Sequence, residues 1–178
     1  MKITYFVHGT TTDNEAGIAT GWIDGELSEL GKQQSDELYT QIIDPSFSIV
    51  FASDLWRAVD TAQRVFSNTH EIRLDKRLRE ANYGDLNGKP HTFKNNMQDF
   101  ISSPFPNGES YQDVEVRIRA FIEDTKNELG SDAHIAIVAH EAPQLALEVI
   151  ANNKSWQQAI DKNWRRTKSW QPGWIYEV

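Results

Sequence analysis

The stretch Phe47-Ser48-Ile49-Val50-Phe51-Ala52-Ser53-Asp54-Leu55-Trp56-Arg57-Ala58-Val59 decides the fold class. Its first six residues form a short apolar run, which reads as a buried strand entered after a breaker at Pro45. Ser53 and Asp54 read as the N-cap of the helix that follows. In that helix Leu55, Ala58, Val59, Ala62, Val65 and Phe66 recur at i, i+3, i+4, i+7, i+10 and i+11, one apolar stripe at helical spacing.

The same alternation continues on both sides. Upstream, residues 3–7 are a strand ending at His8-Gly9. Ser28 is placed to cap a helix whose apolar positions are Leu30, Leu38 and Ile42. Downstream, residues 71–74 are a short strand. Tyr111, Val114, Ile118, Phe121, Ile122, Thr125 and Leu129 mark a second amphipathic helix. Residues 135–139 are a near-continuous apolar run and hence a central strand. It ends at His140, and residues 141–150 return to helix. Four of the six tryptophans, Trp156, Trp164, Trp170 and Trp174, lie in the tail. They anchor it on the core, and residues 174–178 close the chain as a strand.

This order predicts an α/β three-layer sandwich, a mostly parallel sheet with helices on both faces. One domain is expected over residues 1–178. Gly88, Pro90, Pro104, Pro106 and Gly108 punctuate residues 87–110, which read as a short cap insertion. A helix of one or two turns within it carries Phe93, Met97, Phe100 and Ile101.

Composition removes several classes of function. With no cysteine there is no disulfide scaffold, thiol nucleophile, Cys-ligated zinc or iron–sulfur site. A formal charge of −8 opposes nucleic-acid binding, which needs a basic face. No apolar run spans a membrane, and residues 1–7 are too short for a signal-peptide core, so a soluble, cytoplasmic protein is expected. G-x-x-x-x-G-K-[ST], G-x-G-x-x-G and G-x-S-x-G are all missing.

In open α/β sheets, ligands bind beyond the carboxyl ends of the strands. His8 follows the first strand, Ser53 to Arg57 the second, and His140 the central one, while Glu80 precedes Tyr83-Gly84. Two histidines, an arginine and a carboxylate thus converge on one rim. Each also has a plain structural reading: a strand-ending histidine held by backbone, a solvated helix arginine, and one of 26 acidic groups. From the residues alone, His8, His140 and a carboxylate also fit a metal hydrolase.

The local context resembles the histidine phosphatase superfamily, in its phosphoglycerate-mutase-like branch, from residue 3 to about residue 150. The opening R-H-G-E-T-x-x-N of that family is matched by His8, Gly9, Thr11 and Asn14. Asp24-Gly25-Glu26-Leu27-Ser28-Glu29-Leu30-Gly31 is similar to its turn into the first helix. Ser53-Asp54-Leu55-Trp56-Arg57-Ala58 with Thr61-Ala62, Leu78-Arg79-Glu80 with Gly84-Asp85, Gly108-Glu109-Ser110 with Arg117, and Ile137-Val138-Ala139-His140 follow in family order. Thr20-Gly21-Trp22 is mutase-like, yet the span from Glu80 to Glu109 is short for a mutase. One departure matters. The family's arginine before the first histidine, which binds the phosphoryl group, is Val7 here.

The resemblance implies a metal-independent, cofactor-free phosphatase that hydrolyses a small phosphomonoester through a phosphohistidine on His8. Arg57 and a protonated His140 would bind the phosphoryl oxygens, and Glu80 would be the proton donor, with Glu141 in reserve. Gly9, Thr11, Asn14, Thr20, Gly21 and Glu141 are the expected substrate-binding positions. The partner is a small phosphorylated substrate or inorganic phosphate. Arg79, Arg165, Arg166 and Lys168 are candidates to replace the charge missing at Val7. A degenerate member that binds phosphorylated ligands with little turnover, and a mutase-like phosphotransferase, are the alternatives. The oligomeric state is not indicated.

Overall fold

The computed structural model describes residues 1–42, 46–169 and 171–178. The expectations for Pro45 and Trp170 lie outside them. In chain order the elements are β1 (Lys2–Val7), α1 (Thr12–Glu15), β2 (Ile18–Ala19), α2 (Glu29–Gln41), β3 (Ile49–Ala52), α3 (Trp56–Phe66), β4 (Ile72–Leu74), β5 (Lys89–Pro90), α4 (Tyr111–Leu129), β6 (His134–Ala139), α5 (Glu141–Asn152), α6 (Trp156–Asp161), α7 (Trp164–Thr167) and β7 (Trp174–Glu177). Short 3₁₀ turns occupy Lys76–Leu78, Gly84–Leu86 and His91–Phe100.

Five strands form the main sheet in the order β4-β3-β6-β1-β7. All neighbours are parallel except β7, which runs antiparallel to β1. Alternating side chains serve opposite faces. Ile3, Tyr5, Ile135 and Ile137 pack with α4, α5 and α6, whereas Phe6, Val50, Ala136 and Val138 pack with α2 and α3. The result is the expected three-layer α/β arrangement. All six apolar positions predicted for α3 are buried. Fully burying a side chain such as Val65 or Phe66 is worth about 1.5–3 kcal/mol.

Two local expectations fail for identifiable reasons. Leu30 is 49% exposed rather than in the core. α2 docks instead through Gly31, Ser35 and Leu38, because its first turn lies directly against the loop after β1. A Cβ at Gly31 would stand 1.9 Å from the Thr10 carbonyl oxygen. Ser28 does cap α2, accepting from the Gly31 N–H.

Ser53 and Asp54, by contrast, do not cap α3, whose N-cap is Leu55. The Trp56 N–H donates to Asp24 across the loop, at 3.2 Å. Asp54 is held by both Arg79 Nε and Nη2 at 2.7 Å.

Residues 87–110 carry β5, which pairs with β2, and the short helix expected there, which is a 3₁₀ stretch kinked at Asn96. The C-terminal helices α6 and α7 were not anticipated. Trp156 and Trp174 are buried, and Trp164 packs on Trp174 at a ring separation of 5.8 Å. Among the described residues, no helix is long and apolar enough to cross a membrane.

Candidate active site

Strand register brings the two histidines together. Val7 pairs with Ala139, and Ala52 with Val138, so residues 8, 53 and 140 leave the sheet at one rim. The His8 N–H donates to the Ala139 carbonyl and the Ser53 N–H to that of Val138. Tyr5 fixes the backbone of residue 140 from below. Its hydroxyl donates to the His140 carbonyl at 2.6 Å and accepts from the His140 N–H at 3.0 Å.

The His8 ring is pinned. Its Nδ1 lies 2.7 Å from the Gly9 carbonyl oxygen. A carbonyl can only accept, so Nδ1 carries the proton and Nε2 keeps its lone pair. Burial first, and then the Arg57 charge, hold the His8 pKa well below 6.5 against the pull of the Gly9 carbonyl. His140 stands 5.0 Å from His8, centroid to centroid, and shares a 2.8 Å hydrogen bond between its Nε2 and Ser53 Oγ. Its pKa is also held well below 6.5, by burial, Arg57 and His8. Burial, Arg57 and His8 thus favour the neutral His140 ring. This residue is fully buried behind His8 rather than on the cavity wall, with its Nδ1 unpartnered among the described residues.

Arg57 is buried, not solvated. Its Nη1 and Nη2 donate to the carbonyls of Ile23 and Gly21 at 3.1 and 2.7 Å. Gly21 has φ +57°, and a Cβ there would fall 1.8 Å from Asn87 Oδ1, so the turn that presents this carbonyl needs glycine. Thr61 ties the two sides together: its hydroxyl donates to the Arg57 carbonyl and accepts from the Gly9 N–H.

Glu80 Oε1 accepts from the N–H groups of Ala81 and Ala142 at 2.9 and 3.0 Å. The second donor belongs to the first turn of α5. The Glu80 carbonyl is anchored by Trp22 Nε1 and Arg117 Nη2, and Arg117 is itself held by Glu109.

The far wall joins Glu141 and Arg165, both expected from the sequence, to Lys94 and Asn163, which the sequence did not signal. Glu141 accepts from Lys94 Nζ at 2.9 Å and from Asn163 Nδ2, and Arg165 Nε lies at 3.6 Å. Burial alone would raise the Glu141 pKa, but Lys94, Arg165 and the Asn163 hydrogen bond bring it down to about 2. Lys94 and Asn163 escaped the sequence reading because neither sits at a strand end or in a motif. Asn163 does carry a cap signal, since its Oδ1 accepts from the Arg165 N–H at the start of α7.

These groups surround a cavity of about 330 Å³ lined by His8, Arg57, Glu80, Lys94, Glu141 and Arg165, among others. Asn14, Thr20 and Gly21 line it too; Gly9 and Thr11 do not. Thr11 is buried and caps α1 through a reciprocal pair of hydrogen bonds with Asn14. Of the cations weighed against Val7, Arg165 and Arg166 reach the cavity, while Arg79 is committed to Asp54 and lies over the Trp22 ring. Among the described residues, no group of three or more acidic or histidine side chains is placed to hold a metal ion. The metal-hydrolase grouping is therefore not assembled.

Comparison with known proteins is consistent with this geometry. Residues 5–168 match the histidine phosphatase superfamily (branch 1). The chain belongs to that superfamily. A candidate phosphoserine phosphatase 2 of Hydrogenobacter thermophilus is 31% identical over 151 residues, covering 79% of this chain and 73% of the relative. The fructose-2,6-bisphosphatase TIGAR of Xenopus tropicalis is 34% identical over 69% of this chain, which spans 49% of that relative's length. Among solved structures, a mycobacterial glucosyl-3-phosphoglycerate phosphatase superposes with a TM-score of 0.79 at 26% identity, over 89% of this chain and 82% of that one. A Thermus thermophilus protein gives 0.70 at 29%, over 87% and 86%.

Proposed function

We propose that this histidine phosphatase superfamily member is a metal-independent phosphoric monoester hydrolase, acting through a phosphohistidine on His8. The observation that carries the reading is the pinned tautomer. A neutral His8 with Nδ1–H on the Gly9 carbonyl offers its Nε2 lone pair to a cavity that also holds Arg57 and Glu80. The relatives named as phosphatases support the same chemistry, and their names point to a small phosphorylated metabolite as substrate.

In the first step Nε2 forms a bond to phosphorus as the ester P–O bond breaks, and Glu80 gives its proton to the departing oxygen. In the second, water attacks the phosphohistidine, Glu80 takes the proton back, and inorganic phosphate leaves. Arg57 neutralises the non-bridging oxygens with its planar fork. His140 gains a proton more readily once a phosphoryl dianion is bound at His8. The work is positioning and charge stabilisation, which needs no metal in this scheme. Thr20 and Asn14 are assigned to substrate contact, while Gly9 and Thr11 shape the loop. Residues 87–110, as a cap within a single domain, close one side.

The test is direct. His8→Ala should abolish phosphate release and leave no acid-labile phosphoenzyme after brief mixing with substrate. Normal turnover by a folded His8→Ala protein would overturn the mechanism. The uncharged Val7, where the family places arginine, favours a second reading, a phosphoester-binding protein with little turnover. A phosphohistidine trapped in the unaltered protein would exclude it. Transfer of that phosphoryl group to an acceptor other than water would mark a mutase-like phosphotransferase.

A further inference from the structure

Two cavities flank His8. The first holds Arg57, Glu80 and the Lys94–Glu141–Arg165 group. The second, about 560 Å³, opens beside Val7 and runs past Thr10 and Gln34 to Trp164. Besides His8, only Asn14 and Arg165 among the described residues line both. Arg165 is thus the cation common to the two sides of the nucleophile, although it comes from α7, far along the chain.

Charge arithmetic gives that position a use. A phosphoryl dianion brings two negative charges to His8, and on the α3 side Arg57 supplies one positive charge, held by backbone carbonyls alone. On the other side two cations, Lys94 and Arg165, share the single carboxylate of Glu141. Arg166 lines the same cavity, so four cations, Arg57, Lys94, Arg165 and Arg166, face two carboxylates, Glu80 and Glu141, and positive charge is left over. Lys94 is the tightly bound partner at 2.9 Å, whereas Arg165 Nε, at 3.6 Å, is beyond hydrogen-bonding distance. The Arg165 guanidinium is stacked 4.3 Å over the Trp164 ring and its side chain is 42% exposed. Stacking fixes the plane and leaves the edge N–H groups for an anion. Arg165 also helps to hold the His8 pKa down, as expected of a cation within electrostatic reach of that ring.

We infer that Arg165 is the second guanidinium of the phosphoryl site, binding the anion together with Arg57 from the flank where Val7 offers no charge. The role in transfer rests on the phosphatase reading, but anion binding does not, so inorganic phosphate is the first probe. Calorimetric titration should show Arg165→Met binding phosphate about 10–100-fold more weakly, the range for losing one charge-assisted hydrogen-bonded pair. Arg165→Lys should recover part of the loss. Adding Val7→Arg to Arg165→Met should recover it too, because residue 7 lines the same cavity; a merely structural arginine would not be rescued from there. In the unaltered protein, saturating phosphate should slow phenylglyoxal modification of Arg165, read by mass spectrometry, which keeps the test valid if a variant fails to fold. A folded Arg165→Met protein that binds phosphate within about twofold of wild type, or modification of Arg165 at the same rate with and without phosphate, overturns the inference. Arg165-dependent phosphate binding without any ester turnover or phosphoenzyme would uphold this site while removing the hydrolase reading.

Discussion

Replacing Glu141 with glutamine keeps the shape of the side chain and removes the charge that Lys94, Asn163 and Arg165 surround. In the native protein these partners hold the carboxyl at a pKa of about 2, against an ordinary value of 4.5. That difference is worth about 3 kcal/mol in favour of the ionised form at neutral pH. The amide also puts N–H donors among donors and leaves two cations facing each other. Glu141→Gln should therefore destabilise the fold by about 3–5 kcal/mol at pH 7, the usual cost of breaking a buried pair. The pH dependence has a definite sign. A carboxyl depressed in the folded state contributes fully above its unfolded pKa and loses that contribution as pH falls through the window from 4.5 towards 2. The gap between wild type and variant should accordingly narrow by about 2 kcal/mol between pH 7 and pH 3. Urea unfolding followed by tryptophan fluorescence at several pH values measures it. Equal stabilities at pH 7, or a gap constant down to pH 3, would refute the clamp. The same variant bears on mechanism, since an acid ionised down to about pH 2 is a poor proton donor at neutral pH. If Glu141→Gln slows esters with poor leaving groups far more than those with good ones, the donor is Glu141 after all.

Glu80→Gln should slow esters with poor leaving groups far more than those with good ones, by the roughly 10²–10⁴-fold typical of general acid catalysis; equal slowing of both would remove Glu80 from the role. His8 and His140, both held below 6.5 when folded, bind fewer protons than the unfolded chain does just below that pH. Stability should then fall as pH drops under 6.5, with a slope of up to about 1.4 kcal/mol per pH unit for each ring. His8→Asn should flatten the slope between pH 6.5 and 5, and an unchanged slope would show that His8 is not buried neutral. Gly31→Ala drives a methyl group onto the Thr10 carbonyl, a backbone atom that has little room to give. A loss of about 1–3 kcal/mol is expected, and an unchanged Tm would mean that α2 does not seat against the loop as described.

What the sequence disclosed and what it withheld divide along a physical line. The sheet was legible because a buried strand is an apolar run, and residues 135–139 and 49–52 are such runs. Once the strands are parallel, residues 8, 53 and 140 must share a rim, whatever the loops do. α3 was legible because its stripe repeats at helical spacing. Ser53 and Asp54 misled because a serine–aspartate pair before an apolar stripe looks the same whether it caps a helix or serves a site. Here Ser53 is bonded to His140 and Asp54 to Arg79. The far wall had no such signal. Lys94 lies on the 3₁₀ stretch outside the apolar positions that mark it, and Arg165 comes from a four-residue helix too short to have a period. Their meeting at Glu141 depends on where loops of unrelated length deliver them. From its place after His140, Glu141 reads as a spare acid. Lys94, 47 positions upstream, and Asn163, 22 downstream, make it a fixed anion instead. An ionisable residue's position in a motif therefore locates it in the site, but its protonation state, and with it its chemical role, is set by partners that the motif does not contain.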